Sequence, residues 1–87
     1  MTKIKDTYVS YSPQIEAMGE IDLSEDFSLD RKYFLIKNEG EDLKLEVRLA
    51  NNEDFVETTF YNGWNVELVA EIKAHDDAAT LDLKWGY

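Results

Sequence analysis

The sequence predicts a single all-β domain spanning residues 1–87, a small antiparallel β-sandwich or barrel of about six to seven short strands. Three observations lead to this prediction. Apolar and polar residues alternate in several short segments, clusters of Asn, Asp, Gly and Ser separate those segments, and an Asn-Gly dipeptide at positions 62–63 stands between two of them. Alternation is the period of a strand with one solvated face, and Asn-Gly is the strongest short-range hairpin signal.

The N-terminal part supplies two strand candidates. Residues 7–11 form a short strand closed by Ser12-Pro13, because proline lacks the N–H that a ladder needs. Residues 14–23 alternate between two faces. One face carries Ile15, Ala17, Gly19, Ile21 and Leu23, and the other carries Glu16, Met18, Glu20 and Asp22. Gly19 within this run predicts a bulge or a close approach to the backbone.

The next segments give a loop and two strands. Residues 24–30 are expected to form a loop held by the apolar side chains of Phe27 and Leu29. Residues 32–37 are apolar on both faces, which predicts a central strand covered on both sides. Beyond a polar turn, residues 43–50 alternate strictly. Their core-facing side is predicted to carry Leu43, Leu45, Val47 and Leu49, and their solvent side Lys44, Glu46 and Arg48.

A hairpin predicted at Asn62-Gly63 organises the following stretch. A type I′ turn needs positive φ at both central positions, which Asn and Gly tolerate best. Closing the turn there places Tyr61 opposite Trp64 as a cross-strand aromatic pair. The same closure sets Thr59 opposite Val66 and Glu57 opposite Leu68.

Residues 66–73 are open to two interpretations. As a strand they place Val66, Leu68, Ala70 and Ile72 on one face. As one short helix capped by Asn65 they place Leu68, Val69 and Ile72 on one face. The tight turn before them needs a pairing partner and therefore favours the strand. A polar turn follows, and residues 80–85 predict the last strand.

Composition excludes several classes of function. The chain has 19 acidic and 9 basic residues and a net charge of −10. Direct binding to nucleic acid or to an anionic membrane is disfavoured, since phosphate contacts need Lys and Arg. Without cysteine there is neither a disulfide nor a thiolate metal site. No apolar run suits a membrane helix and no signal peptide follows Met1, so we expect a soluble protein made in the cytoplasm.

The sequence contains few residues in patterns that are typical of catalytic sites. His75, the single histidine, stands beside Asp76 and Asp77. The three residues are either a metal or acid–base group or a solvated turn. The turn is favoured, because a zinc site normally takes three or four N or S ligands. No phosphate-binding loop or nucleophile elbow is present. We therefore expect no enzymatic activity, no cofactor, no bound metal and no small-molecule substrate.

The acidic residues cluster in the predicted turns. These are Asp22, Glu25, Asp26, Asp30, Glu39, Glu41, Asp42, Glu53, Asp54, Asp76 and Asp77. Solvated loops explain the clustering, and solubility explains the excess charge. If they were arrayed along one side of the domain, however, the same carboxylates would imitate the phosphate backbone of DNA or bind calcium through loop oxygens.

Four aromatic residues are candidates for binding a partner protein: Tyr61, Trp64, Trp85 and Tyr87. They lie at the predicted turn and at the chain end, where few residues can cover them. Tyrosine and tryptophan are enriched at protein interfaces. Capping the end of the sandwich is the alternative role.

The C-terminal third of the chain resembles a known group of proteins. Residues 58–65 read TTFYNGWN, an acidic and apolar segment follows, and the chain ends Trp85-Gly86-Tyr87. This is similar to small virion- or head-associated proteins of tailed bacteriophages and prophages of gut Bacteroidetes, which carry a Tyr-x-Gly-Trp-Asn core and an aromatic-Gly-aromatic end. Where those proteins have proline within or just after the motif, this chain has Asn62 and Val66.

The resemblance implies a structural or assembly component of a phage particle, of the head-decoration, adaptor or fibre-base type. Such a protein is made in the host cytoplasm, resides in the virion, and contacts copies of itself or other virion proteins. The alternative is an acidic phage-encoded inhibitor that mimics DNA and binds a host nucleic-acid-binding protein. Neither interpretation involves direct contact with nucleic acid or a membrane.

Overall fold

The computed structural model describes residues 14–30 and 33–87, and within them the fold is all-β, as predicted. Seven strands in this part of the chain form two antiparallel sheets, in the manner of a small β-sandwich and not of one closed sheet. They are β1 (Met18–Glu20), β2 (Leu35–Asn38), β3 (Leu43–Leu49), β4 (Val56–Phe60), β5 (Gly63–Trp64), β6 (Val69–Ile72) and β7 (Leu83–Gly86). The strand predicted at 7–11 lies outside the described residues.

The first sheet has four strands in the order β1-β7-β2-β5. β2 lies between two neighbours, as expected of a central strand, and Ile36 on its inner face is buried. The cover predicted on both faces is not seen among the described residues, because Lys37 on the outer face joins a partly exposed ion pair with Glu39. From Ala17 to Leu23 the predicted alternation is confirmed, and Ile21 and Leu23 are buried. Gly19 lies directly opposite Trp85, and a Cβ at Gly19 would collide with the indole ring. The glycine therefore permits the close approach that was one of its two predicted roles.

Ile15 departs from the predicted face. Its Cγ2 lies 3.1 Å from the position that a Cβ on Gly86 would take, which is the side of the sheet opposite to Trp85. The cause is an irregular pairing, because the amides of Glu16 and Ala17 both donate to the carbonyl of Tyr87, at 2.6 and 3.0 Å. Glu16 and Ala17 thus lie opposite the single residue Tyr87, and this irregularity places the side chain of the preceding Ile15 on the other face of the sheet.

The second sheet has three strands in the order β4-β3-β6. The faces predicted for the central strand β3 are confirmed. Leu45 and Val47 are buried, and Leu43 and Leu49 pack against the core. Lys44 and Glu46 are exposed.

The predicted hairpin at Asn62-Gly63 is wrong. β4 pairs with β3, whereas β5 pairs with β2 in the other sheet, so Tyr61 does not pair with Trp64. The pairings of Thr59 with Val66 and of Glu57 with Leu68 are absent as well, because β3 separates β4 from β6. Only the positive φ of Gly63, 102°, is as expected. Residues 61–68 instead carry the chain from one sheet to the other and back, and we call this segment the crossover.

β6 confirms a strand in place of a helix, but only over Val69–Ile72 of the segment 66–73, and the predicted face is wrong. Val69 and Ile72 are buried, whereas Val66 and Leu68 are exposed. The register runs Val47–Ile72, Arg48–Glu71 and Leu49–Val69. Ala70 is therefore an extra residue in β6, and this β-bulge lets two residues three positions apart face the same core.

One hydrophobic core lies between the sheets. It is formed by Ile21, Leu23, Phe34, Ile36, Leu45, Val47, Phe60, Val69, Ile72 and Leu83. The loop predicted at 24–30 is held as expected. Phe27 packs edge-on against Phe34 with ring centroids 5.6 Å apart, and it exchanges two 2.8 Å backbone hydrogen bonds with Ile72. Leu29 also packs against the core.

The last strand begins later than predicted. A short 3₁₀ helix, Ala78–Thr80, occupies the start of the segment expected to be extended, and β7 follows at Leu83–Gly86. Thr80 favours this turn because its hydroxyl donates to the carbonyl of Asp77 at 2.9 Å. Within 14–30 and 33–87, no helix has the length and apolar character needed to cross a membrane.

Candidate functional site

Two of the predicted partner-binding aromatics stack at the end of the four-stranded sheet. The rings of Trp85 and Tyr87 have centroids 5.4 Å apart and planes inclined by 12°. Trp85 lies opposite Gly19 and Ile36 and packs against the core, whereas Tyr87 is 38% exposed. The stack therefore closes one end of the core, with Trp85 partly buried and Tyr87 the more exposed ring.

Trp64 lies on the other face of the same sheet. It is paired with Lys37, whose neighbour Ile36 faces the core, and successive strand residues point to opposite faces. Its ring occupies the space where a Cβ on Gly86 would stand. The Nζ of Lys37 is 6.0 Å from the ring centroid. Trp64 and the Trp85–Tyr87 stack therefore do not share one surface.

The crossover is held in place by the side-chain amide of Asn65, which is 7% exposed. Its Oδ1 accepts the N–H of Tyr61 at 3.0 Å. Its Nδ2 donates to the carbonyls of Tyr61 and Gly63, at 3.0 and 3.1 Å. The backbone N–H of Asn65 donates to the carbonyl of Ile36 at 3.0 Å. One side chain thus satisfies backbone groups that a partly buried bend would otherwise leave unpaired.

Two further asparagines tie the crossover to the turn after β2. The N–H of Asn62 donates to Asp42 Oδ1 at 2.8 Å, and its Nδ2 donates to the carbonyl of Gly40 at 2.9 Å. Asn38 is buried, and its Nδ2 donates to the carbonyl of Phe60 at 3.1 Å. Side-chain hydrogen bonds therefore anchor the start of the crossover, in place of the ladder that a hairpin would supply.

The crossover presents three large apolar side chains to solvent, Tyr61 in the part held by Asn62 and Asn65, and Val66 and Leu68 beyond it. Tyr61 is 60% exposed, Val66 87% and Leu68 44%. A group already held in its bound geometry loses little conformational entropy on association. The crossover is therefore the best-formed candidate contact surface in the described part of the chain, and it contains Tyr61 and Trp64 of the four predicted residues.

A charged row crosses the outer face of the four-stranded sheet. Lys84 Nζ lies 2.5 Å from Glu39 Oε1, and Lys37 Nζ lies 3.3 Å from Glu39 Oε2. The hydrogen bond from Lys84, and then that from Lys37, lowers the pKa of Glu39, and the bond to Glu39 raises the pKa of Lys84. The surface beside Trp64 therefore carries mixed charge despite the acidic composition.

Several other carboxylates have partners within the chain. Glu71 lies 3.5 Å from Arg48, and Glu46 lies 3.8 Å from Lys73. Backbone N–H groups of Ser24, Ala74 and Asn62 donate to Asp22, Asp26 and Asp42 respectively. The bond from Ser24 lowers the pKa of Asp22. These carboxylates hold turns and strand rows, whereas a DNA mimic needs carboxylates directed at its partner.

His75 lines an open cleft of about 290 Å³ between the three-stranded sheet and the following turn. The cleft is also lined by Lys44, Leu45, Glu46, Glu57, Lys73, Ala74, Asp76 and Asp77. The Nδ1 of His75 accepts the N–H of Asp77 at 3.0 Å, so this ring nitrogen shapes the turn. Among the described residues, no group of three or more His, Asp or Glu is arranged to hold a metal ion.

The asparagines and Val66 are the site residues that the sequence patterns missed. The patterns give Asn62 a hairpin role, and they give Val66 a place on the apolar face in the favoured strand interpretation and Asn65 a capping role in the helix alternative. The structure gives Asn38 and Asn62 backbone partners 22 positions away, gives Asn65 backbone partners within its own bend, and leaves Val66 in solvent. A usable signal was present, because Asn side chains next to bends characteristically bond to nearby backbone groups.

Comparisons of the chain with protein-family models, with curated protein sequences and with solved structures find no match. A functional proposal therefore rests on the fold, the crossover and the resemblance drawn from the sequence.

Proposed function

We propose that this protein is a non-enzymatic assembly component that acts by binding other protein surfaces, with a phage particle as its setting. One observation carries the proposal. The crossover exposes Tyr61, Val66 and Leu68, and the Asn65 amide fixes its first half by hydrogen bonds to Tyr61 and Gly63. Apolar anchors on a rigid segment suit protein–protein contact, and they provide none of the convergent acid–base groups that catalysis requires.

The phage setting is supported by the resemblance of residues 58–65. Its Tyr-x-Gly-Trp-Asn core corresponds to Tyr61, Gly63, Trp64 and Asn65, the residues that build the crossover. Gly63 supplies the positive φ, Trp64 pairs with β2, and Asn65 closes the bend. The motif thus describes a rigid contact segment, as a decoration, adaptor or fibre-base protein needs.

The net charge of −10 sets the expected salt response. Copies of this chain, or this chain and another acidic virion protein, repel one another at long range. Association through apolar residues should therefore strengthen as salt screens the repulsion. The acidic-inhibitor alternative predicts the opposite, with a basic nucleic-acid-binding protein retained at low salt and released as salt rises.

The test is a double substitution of the crossover, Tyr61→Ser with Val66→Ser, and Ala79→Ser is the matched exposed control. Because both crossover side chains are largely in solvent, the free energy of unfolding should change little. Association of the protein with itself or with particle proteins should weaken by about tenfold or more. Light scattering over a concentration and salt series measures association. Mass spectrometry of purified virions tests the setting. A chain that is monomeric throughout and absent from virions would contradict the proposal.

A further inference from the structure

β4 is the outer strand whose free side no other strand covers in the described part of the chain. β1 has three residues and β5 has two, so each offers little edge to a partner. β6 carries a bulge, and Phe27 and Phe34 bridge to its outer side through Ile72 and Val69. β4 has five residues, Val56–Phe60, and Glu57 is its one charged residue. It has no bulge, proline or lysine, which are three of the features by which proteins normally protect an edge from pairing.

The direction of the free backbone groups on β4 follows from its neighbours. The N–H of Lys73 donates to the carbonyl of Glu46 at 2.9 Å, so the backbone of Glu46 faces β6. Backbone groups alternate sides along a strand, so those of Leu45 face β4 and bond to its partner Thr58. The N–H and C=O groups of Glu57 and Thr59 therefore point away from β3, toward the open side.

We propose that a second copy of this chain pairs antiparallel along β4, about a two-fold axis at Thr58, an inference that rests on the assembly function proposed above and names its partner. In this register Glu57 of each copy pairs with Thr59 of the other, and each pair exchanges two backbone hydrogen bonds. The free groups are thus self-complementary, as a two-fold interface requires. The two three-stranded sheets become one continuous sheet.

Side-chain chemistry selects this register over its neighbours. An axis at Glu57 would set two carboxylates opposite each other, which is destabilising in a strand pair. An axis at Thr59 would require the backbone of Tyr61, whose N–H and C=O are already bonded to Asn65. The axis at Thr58 avoids both conflicts.

The same register covers exposed apolar surface. It sets Val56, which is 41% exposed, opposite Phe60 of the second copy. It also brings Tyr61, 60% exposed, toward the second copy's Phe55. Two uncovered side chains at the ends of the strand thus gain neighbours in one interface.

Cysteine cross-linking of the full chain tests the register, since the protein has no native cysteine. Facing Cα atoms at the axis lie about 4.5 Å apart, within disulfide range. Thr58→Cys should therefore oxidise to a covalent dimer at least about tenfold faster than Glu57→Cys or Thr59→Cys alone. A mixture of Glu57→Cys and Thr59→Cys should cross-link between the two variants. Rapid cross-linking of Glu57→Cys alone would overturn the register.

A second variant tests the edge without a new thiol. Thr59→Pro removes an N–H that faces the partner and leaves the bonds to β3 in place, and Thr59→Val keeps both shape and N–H. Self-association should weaken about tenfold or more for the proline variant alone, with circular dichroism confirming that both variants are folded. If wild-type oligomers form but Thr58→Cys does not cross-link, the β4 proposal fails and the assembly function stands. If the protein neither self-associates nor enters virions, both fail.

Discussion

Replacing Asn65 by Ala should destabilise the domain by about 2–4 kcal/mol. The side-chain amide makes three hydrogen bonds of 3.0–3.1 Å, to the N–H and C=O of Tyr61 and to the carbonyl of Gly63. Each contributes about 0.5–1.5 kcal/mol net, and its loss leaves a partly buried backbone group without a partner. A domain of this length has a total free energy of unfolding on the order of 4–13 kcal/mol, so the loss should be a large and measurable fraction of it.

Asn65→Asp separates hydrogen bonding from side-chain volume. The carboxylate still accepts the N–H of Tyr61, but it has no N–H to donate and faces the carbonyls of Tyr61 and Gly63. At neutral pH this variant should therefore be less stable than Asn65→Ala, despite its closer shape. The difference in stability between the two variants should become smaller on acidification, because the protonated Asp side chain regains one hydrogen-bond donor.

Urea denaturation followed by circular dichroism measures these differences. With a slope of about 1 kcal/mol/M for a small domain, Asn65→Ala should lower the midpoint by about 2 M or more. Asn52→Ala is the matched control, since Asn52 is exposed and the hydrogen bond described for it is a backbone one. Losses below about 0.5 kcal/mol for both Asn65 variants would refute the idea that this amide holds the crossover.

Two further predictions use pairs of residues or of pH conditions. Val69→Ala should lower the free energy of unfolding by about 2 kcal/mol, because it opens a core cavity, whereas Val66→Ala should leave it nearly unchanged. Equal losses for the two variants in thermal unfolding would contradict the bulged register of β6. Because Lys84 lowers the pKa of Glu39 below its ordinary 4.5, the advantage of wild type over Glu39→Gln should be fully present above pH 4.5 and lost as pH falls through the lowered pKa. At alkaline pH the advantage should be fully present below pH 10.5 and lost as pH rises through the raised pKa of Lys84, and an advantage independent of pH would rule out the ionised pair as its cause.

The alternating segments were predictable because one physical rule decides them. Along β3, every second side chain must enter the core, so the positions of Leu45 and Val47 follow from the sequence. The same rule located Ile21 and Leu23. It failed where an extra residue changes the count, at Ala70 in β6 and at the paired amides before β1. A bulge interrupts the alternation of apolar and polar residues, and the sequence carries no other sign of it.

The Asn62-Gly63 prediction failed for a different reason. The dipeptide correctly indicates a bend with positive φ, but the bend alone does not choose which strand lies beside which. That choice depends on distant groups, the carboxylate of Asp42 and the carbonyl of Gly40, which bind Asn62 and hold it at the other sheet. Local turn preference was therefore outweighed by side-chain hydrogen bonds between segments far apart in sequence.

The candidate site was partly predictable. Tyr61 was expected to be hard to cover beside the bend, and it is 60% exposed, whereas Trp64 is half-buried because its ring packs over Gly86. Binding of a partner by these residues stays a prediction. Val66 was assigned to the core by the same alternation that succeeded elsewhere, and it is the most exposed large apolar residue described. The crossover removes residues 65–68 from the strand ladder, so their side chains no longer follow a period of two.

The open edge and the crossover adjoin at Tyr61, which follows the last residue of β4, yet they suit different partners. A two-fold pairing along β4 closes on itself and cannot extend an assembly further. Val66 and Leu68 lie beyond β5, outside the residues that such a pairing uses, and remain available for a second contact. A dimer that keeps these apolar residues exposed can attach to another protein through each copy. Two weak attachments by one dimer bind far more tightly than either alone, because the second forms at a high effective concentration. This division accounts for a small acidic domain that has both an unprotected edge and a rigid apolar segment.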